Sequence, residues 1–248
     1  MRETRIIMGM SISLVVPDAQ ARPQDLDAVF AEFTAVDMQF SPFKSESEIC
    51  RLNRGELNEE DLTPRMREIL ALCEETKQKT GGYFDIVRPD GTIDLCGMVK
   101  GWAIKNAARQ LADMGLSNFC VAAGGDIQCH GLNDEGEEWT VGIRSPFTQD
   151  EIVKVLQPMG RGVATSGNYI RGDHIYNPHT GHFGTDNIVS LTVIGCDVLE
   201  ADCYATAALA MGREGIYFIE RTPGLEGYEI DASGTARMTS GLKKYLPC

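Results

Sequence analysis

The 248-residue sequence predicts an α+β fold: one domain over residues 1–248, in which a mixed or antiparallel sheet carries packed helices. Three observations lead there. Helical periodicity is concentrated in the first half and short β-rich runs in the second, so helices and strands are segregated rather than strictly alternating. No internal repeat, low-complexity tract or Pro/Gly/Ser-rich linker divides the chain. At 43% hydrophobic and 24% charged, the composition is that of an ordinary globular protein, long enough to bury a core without disulfide staples.

Residues 5–16 (RIIMGMSISLVV) alternate like one strand. Leu26, Val29, Phe30, Phe33, Val36 and Phe40 then recur at helical spacing and predict an amphipathic helix over 26–40. The next helix has sharper ends: Thr63 as N-cap, Pro64 at the first helical position, Met66, Ile69, Leu70 and Cys73 inward, and Gly81-Gly82 to stop it. A third helix runs from near Lys100 to Met114 and ends at Gly115. Beyond it, the runs 118–128, 138–144, 151–157 and 188–195 read as strands punctuated by Gly and Asn. Residues 200–212 (EADCYATAALAMG) form a helix apolar enough to be buried, 214–221 continue helical, and 227–239 close the chain as a hairpin.

The 36 acidic and 23 basic residues leave a charge of −13, which argues against a nucleic-acid partner, since a phosphate-backbone reader needs a basic stripe. No window reaches the run of about eighteen apolar residues that a membrane span requires, and MRETRIIMGM lacks the order of a signal peptide. The sequence as given is therefore expected in the cytoplasm, and in an exported compartment only if a leader has been removed. The eight Cys form no C-x-x-C pair and sit mostly in apolar segments, as reduced core thiols do.

Phosphate-loop, dinucleotide-fold, zincin and serine-hydrolase signatures are all missing from the sequence. What remains is a series of polar and glycine clusters: GGYFD (81–85), DLCGMVKG (94–101), AGGDI (123–127), ATSG (164–167), RGDHIYNPHTG (171–181) and ADCYAT (201–206). Asp202 and Thr206 stand at i and i+4 of one helical face. With a backbone carbonyl they make an oxygen set suited to Mg²⁺, although taken alone a helix-start charge and a back-bonded hydroxyl is the plainer reading. In DLCGMVKG an acidic residue and a flexible glycine precede a helix start carrying Lys100, a place for a phosphate to meet N–H groups and a cation; Lys100 as a solvated helix-start residue is the plainer reading. The glycines of AGGDI and ATSG either cradle a diphosphate or permit tight turns. His174, His179 and His182 invite a zinc reading, but their spacing matches no common zinc pattern, and a single functional histidine, His174, is the better expectation.

Taken in order, these clusters resemble the ApbE family, flavin transferases that use FAD and Mg²⁺ to attach FMN to a Ser or Thr of a target protein and release AMP. The matching stretches cover nearly the whole chain: Met8-Gly9-Met10, FSPFKSESEICRLN (40–53), GGYFD, D-L-x-G-x-V-K-G-W-A (94–103), AGGDI, the run from Trp139 to Pro146, ATSG with Asn168-Tyr169, R-G-x-H-I-x-N-P-x-T-G and A-D-x-x-A-T-A (201–207). Each is permissive alone, and their joint order is specific. The resemblance implies an ApbE-like, T-fold-related α+β domain, with Asp202 and Thr206 binding Mg²⁺ beside backbone oxygens near Gly97 and Ala205. It implies that Met8, Phe43, Tyr83, Phe84 and Asp85 line the flavin site, that Asp94 and Lys100 contact the FAD, and that Ile175 lies beside it. His174 is the candidate for assisting the acceptor hydroxyl or steadying the phosphate. The implied partners are FAD as substrate and an acceptor flavoprotein with a Ser or Thr target. An FAD pyrophosphatase, a non-catalytic flavin binder, and a purine- or pterin-binding module are the rival readings.

The sequence departs from the family pattern in three places. Only residues 86–93 separate Asp85 from Asp94, where many members carry a much longer insert. Lys105 and Asn177 replace two usual aspartates. Many members are exported lipoproteins, whereas a leader and a lipobox Cys are not seen here.

Overall fold

In the computed structural model, which describes residues 1–148, 150–167, 175–181 and 185–247, residues 5–16 belong to a hairpin rather than to one strand. Strands β1 (Arg2–Ile7) and β2 (Met10–Val15) pair antiparallel about Met8 and Gly9, whose φ values of 56° and 69° match what a two-residue hairpin turn requires. The run 118–128 divides in the same way. Strands β3 (Phe119–Ala123) and β4 (Asp126–His130) fold back about Gly124 and Gly125, both at positive φ.

Six more strands are described: β5 (Val141–Arg144), β6 (Ile152–Leu156), β7 (Gly162–Gly167), β8 (Ile188–Gly195), β9 (Glu226–Asp231) and β10 (Ala236–Met238). Eight form one sheet in the order β1-β2-β3-β4-β7-β8-β9-β10, and β5 and β6 make a separate ribbon. All the described pairings are antiparallel, which resolves the mixed-or-antiparallel expectation. Strand β7, read in the sequence only as the ATSG glycine cluster, lies between β4 and β8.

The helices are α1 (Pro23–Phe40), α2 (Glu48–Asn53), α3 (Pro64–Lys79), α4 (Cys96–Asp113), α5 (Val198–Ala210) and α6 (Gly215–Arg221). Helix α3 has the expected ends, with the Thr63 hydroxyl accepting from Met66 N at 3.2 Å and Pro64 in the first turn. Helix α2 was not anticipated. It is capped by the buried Ser47, whose hydroxyl accepts from Cys50 N. Helix α4 starts at Cys96, a turn before the expected Lys100, because the Asp94 carboxylate accepts the Cys96 N–H at 2.9 Å.

Side-chain alternation gives the large sheet two apolar faces. Ile12, Leu14, Phe119 and Val121 pack with α1, α3 and α4 in one core, and Ala164, Leu191 and Val193 continue beneath α5 and α6. Val163, Ile194, Tyr228 and Ile230 turn the other way, onto Val141, Ile143 and Leu156 of the ribbon. Among the described residues, no helix is long and apolar enough to cross a membrane.

Helices α4 and α5 cross closely because Gly101 has no side chain: a Cβ there would lie 2.9 Å from Leu199 Cα and 3.1 Å from Asp202 Cβ. Overpacking of this kind costs about 1–3 kcal/mol. Gly101→Ala is therefore expected to lower the urea midpoint by a corresponding amount and to displace Asp202. An unchanged midpoint would mean that the two helices part freely.

Candidate active site

Where one set of strand ends, at the β1–β2 and β3–β4 turns and the end of β7, meets α4 and α5 there is a cavity of about 1090 Å³, large enough for a dinucleotide-sized ligand. Its wall combines the β1–β2 turn, the segment after α1, residues 83–89, the start of α4, the Gly124 turn, the end of β7 and one face of α5. Loops and element ends supply most of these groups, so the rigid sheet positions a wall built from its connections.

The charged floor is set by the α4–α5 crossing. Lys100 Nζ lies 2.5 Å from Asp126 Oδ2 and 3.3 Å from Asp202 Oδ1. Asp202 Oδ2 accepts the Gly101 N–H at 3.1 Å, and Asp126 Oδ1 accepts the Thr165 N–H at 3.1 Å. Both carboxylates are buried. Asp126 Oδ2 makes no hydrogen bond of good geometry, so the ammonium is what offsets its charge. Burial opposes a charge on Lys100, yet the two carboxylates outweigh it and hold the ammonium above its ordinary range. Burial pushes the Asp202 carboxyl up to about 7, with Lys100 pulling it down and Asp126 pushing it further up. When Asp202 is ionised, the two carboxylates around one ammonium leave a buried net charge of −1, an arrangement that favours a further cation.

Thr206, one turn beyond Asp202, also faces the cavity, with its hydroxyl 3.3 Å from that of Ser166. Gly97 lies on the same wall, where a Cβ would fill the gap between Phe84 and Thr206 at 3.3 and 3.7 Å. Among the described residues, no three His, Cys, Asp or Glu side chains gather as a metal cage. The donors here are instead the two carboxylates, of which Asp126 Oδ2 is ion-paired to Lys100, and the Thr206 and Ser166 hydroxyls, a hard all-oxygen set that fits Mg²⁺ better than zinc.

The other wall is apolar and aromatic. Met8, Tyr83, Phe84 and Ile175 line it, and Phe43 stands at the rim with 92% of its surface exposed. Residues 86–93 fold as a small hairpin with a Val87–Ile93 bridge, and Ile86, Arg88 and Pro89 face the cavity. The short segment thus supplies wall itself. Asp85 pairs with Lys77 at 2.7 Å, and Asp94 pairs with Arg88. Burial works against the Asp94 charge, but the Cys96 N–H and the Arg88 guanidinium outweigh it and hold the carboxyl below its usual range.

The cavity therefore gathers Met8, Phe43, Tyr83, Phe84, Asp85, Asp94, Gly97, Lys100, Ile175, Asp202 and Thr206 on its wall. Ala205, expected to offer only a backbone oxygen, does not line the cavity, and its side chain is fully buried in the apolar cluster that includes Ala164 and Leu191. His174 and His182 lie outside the described residues, as do Asn168, Tyr169 and Arg171. His179 packs on Tyr83 with ring centroids 4.4 Å apart and bonds Gly81 O at 2.9 Å. Lys105 pairs with Asp197 at 2.7 Å, and Asn177 keeps its turn by accepting the His179 N–H through its side chain. The residue that the sequence reading missed is Asp126. The AGGDI cluster was read for its glycines, and the signal overlooked was an acidic residue directly after a positive-φ turn.

Fold and site together define an antiparallel α+β protein with a deep cavity, charged on its floor and aromatic on its wall. The ApbE family model matches residues 8–88 and 87–228, and the chain belongs to the ApbE family. It is 34% identical over 160 residues to the FAD:protein FMN transferase of Escherichia coli K12, a stretch covering 61% of this chain and 46% of that protein. To the FAD:protein FMN transferase of Haemophilus influenzae it is 27% identical over 169 residues, 63% of this chain and 49% of that one. The chain thus spans about half the length of the curated relatives it matches. Among solved structures, the flavin transferase ApbE from Vibrio cholerae superposes with a TM-score of 0.85 at 21% identity, covering 99% of both chains. The ApbE protein of Thermotoga maritima gives 0.84 at 21% identity, over 100% of this chain and 99% of that one. At such identities these structures establish the fold.

Proposed function

We propose that the protein is a Mg²⁺-dependent FAD:protein FMN transferase, moving FMN from FAD to a Ser or Thr hydroxyl of an acceptor protein and releasing AMP. The observation that carries this reading is the buried Asp126–Lys100–Asp202 cluster beside Thr206, on the floor of a cavity of dinucleotide size with an aromatic wall. The names of the relatives support it.

In this reading the isoalloxazine of the substrate lies against Tyr83, Phe84, Met8 and Ile175, with Phe43 covering it from the rim, because a flat apolar ring system gains most from aromatic and sulfur contacts. Asp94, its carboxylate fixed by Cys96 N–H, accepts from a ribose hydroxyl or an exocyclic amine. Lys100 presents its ammonium to the diphosphate. Asp202 and Thr206 would hold the metal, with oxygen from the Gly97 turn. The chemistry a bound Mg²⁺ supplies there is neutralisation of charge on the diphosphate oxygens. The acceptor hydroxyl attacks the FMN-side phosphorus in line, forming a new P–O bond as the bond to the AMP phosphate breaks, and AMP leaves with that electron pair. His174 is assigned to take the hydroxyl proton or steady the phosphate.

A proton and a metal compete for Asp202, so Mg²⁺ binding is expected to strengthen as pH rises through about 7 and to weaken below it. Calorimetric Mg²⁺ titrations on either side of neutrality check this. Equal affinity at both would separate Asp202 from the metal.

The reading itself is tested by incubating the protein with FAD, with Mg²⁺ or with a chelator, and following AMP by chromatography. AMP released only with Mg²⁺ supports it. FAD retained intact through desalting, with no AMP at any Mg²⁺ concentration or with any acceptor, would make the protein a flavin binder.

A further inference from the structure

The described cysteines do not all behave as core thiols: Cys73, Cys129 and Cys203 are buried, whereas Cys96 and Cys196 are exposed. Cys120 and Cys129 are different again. They stand directly opposite each other in the β3–β4 register, with their sulfurs 2.7 Å apart. Directly opposed antiparallel residues have Cα atoms about 4.5–5.5 Å apart. That falls inside the span of about 4.4–6.8 Å that a disulfide bridges. Because Phe119 and Val121 face the helices, Cys120 projects to the opposite face of the sheet, where Cys129 meets it. Cys129 is buried and Cys120 half-buried, so Cys120 is the more exposed residue of the pair.

We propose that Cys120 and Cys129 form a reversible cross-strand disulfide, a covalent modification site on the hairpin that turns at Gly124 and Gly125 and carries Asp126 at the start of β4. The site stands apart from FMN transfer and does not depend on it. Its oxidant class is a small disulfide such as glutathione disulfide. Cys120 gives up its proton and attacks one sulfur of the oxidant, releasing one thiol and leaving a mixed disulfide. Cys129 then gives up its proton and attacks Cys120 Sγ, releasing the second thiol. Two protein thiols are oxidised to one disulfide, and one small disulfide is reduced to two thiols. Cys120, the more exposed of the two, is the thiol that reacts first, and the hydrogen bond to Cys120 and burial hold the Cys129 thiol well above its ordinary range.

Trypsin provides a direct test, because residues 110–144 contain no internal Lys or Arg and include Cys120 and Cys129 as their only cysteines. The folded full-length chain is treated with glutathione disulfide, denatured, alkylated with iodoacetamide without reduction, and digested. The expected peptide is lighter by two hydrogens and carries no alkyl group, and prior dithiothreitol restores two alkylation sites. Cys120→Ser and Cys129→Ser should each leave a single modifiable thiol in this peptide. Two alkyl groups at a glutathione disulfide concentration that modifies the exposed Cys96 would overturn the proposal. So would a glutathione adduct that persists on Cys120 in the unmutated protein.

Discussion

Asp202→Asn is expected to abolish the proposed Mg²⁺-dependent release of AMP from FAD while the protein stays folded. Asparagine keeps the volume of the side chain, and its amide oxygen can still accept the Gly101 N–H that Asp202 Oδ2 accepts at 3.1 Å. Lys100 keeps Asp126 as its counter-charge at 2.5 Å, so no buried ammonium is left unpaired. What disappears is the negative charge that would hold the metal. Metal stabilisation of a phosphoryl-transfer transition state is worth several kcal/mol, which corresponds to a loss of roughly 10³-fold in rate. Thr206→Val removes one neutral oxygen without adding bulk, and its effect on metal affinity should be milder, within about 10-fold. The check is AMP release against Mg²⁺ concentration, with the Mg²⁺-induced rise in melting temperature as a readout independent of turnover. Full turnover of the Asn variant at ordinary Mg²⁺ would remove Asp202 from the ligand set.

Asp126→Asn should raise the Mg²⁺ concentration needed for half-maximal activity while changing FAD affinity much less. Asparagine can still accept from Thr165 N through its oxygen, preserving the strand contact. Its amide NH₂ then faces the Lys100 ammonium, a donor against a donor. Asp202 becomes the sole carboxylate beside that ammonium, which now lies 3.3 Å from Asp202 Oδ1 and competes with the metal for the same oxygen. Removing a group that orients a metal ligand typically costs about 10–100-fold in metal affinity. A Mg²⁺ titration followed by melting temperature and by turnover separates this from a folding defect. If Asp126 only braces the strand, the variant loses stability and keeps its Mg²⁺ requirement.

The parts of this molecule that were legible in the sequence are those fixed by local signals. Thr63, Pro64 and the Gly81-Gly82 stop set the ends of α3 because a cap, a φ restriction and a helix breaker act within a turn of where they stand. The hairpins were harder. The β1–β2 turn is made by Met8 at φ 56° inside an unbroken alternation, and nothing in a methionine announces a left-handed residue. Helix α2 is fixed by Ser47, whose hydroxyl caps Cys50 N and also donates to Ser41 O, a loop contact with no periodic signature.

The site divides along the same line. Asp202 and Thr206 could be paired from the sequence because i and i+4 share a helical face, and Gly97 and Lys100 because they share a motif. Asp126 could not, since its partner Lys100 arrives from a helix packed against the sheet rather than from its own neighbourhood. Helical spacing also separates neighbours: one position from Thr206 along the chain, the Ala205 side chain points about a hundred degrees away around the helix, into the apolar cluster with Ala164 and Leu191. The Cys120–Cys129 pair is likewise a product of register, invisible until the β3–β4 hairpin is placed.

The most direct test of FMN transfer is the mass of an acceptor protein presenting a Ser or Thr hydroxyl, measured after incubation with this protein, FAD and Mg²⁺. The account predicts the gain of one FMN moiety per acceptor with an equal amount of AMP, and neither when Mg²⁺ is chelated or Asp202 is replaced by Asn. AMP and free FMN accumulating beside an unlabelled acceptor would contradict it and make the protein an FAD pyrophosphatase.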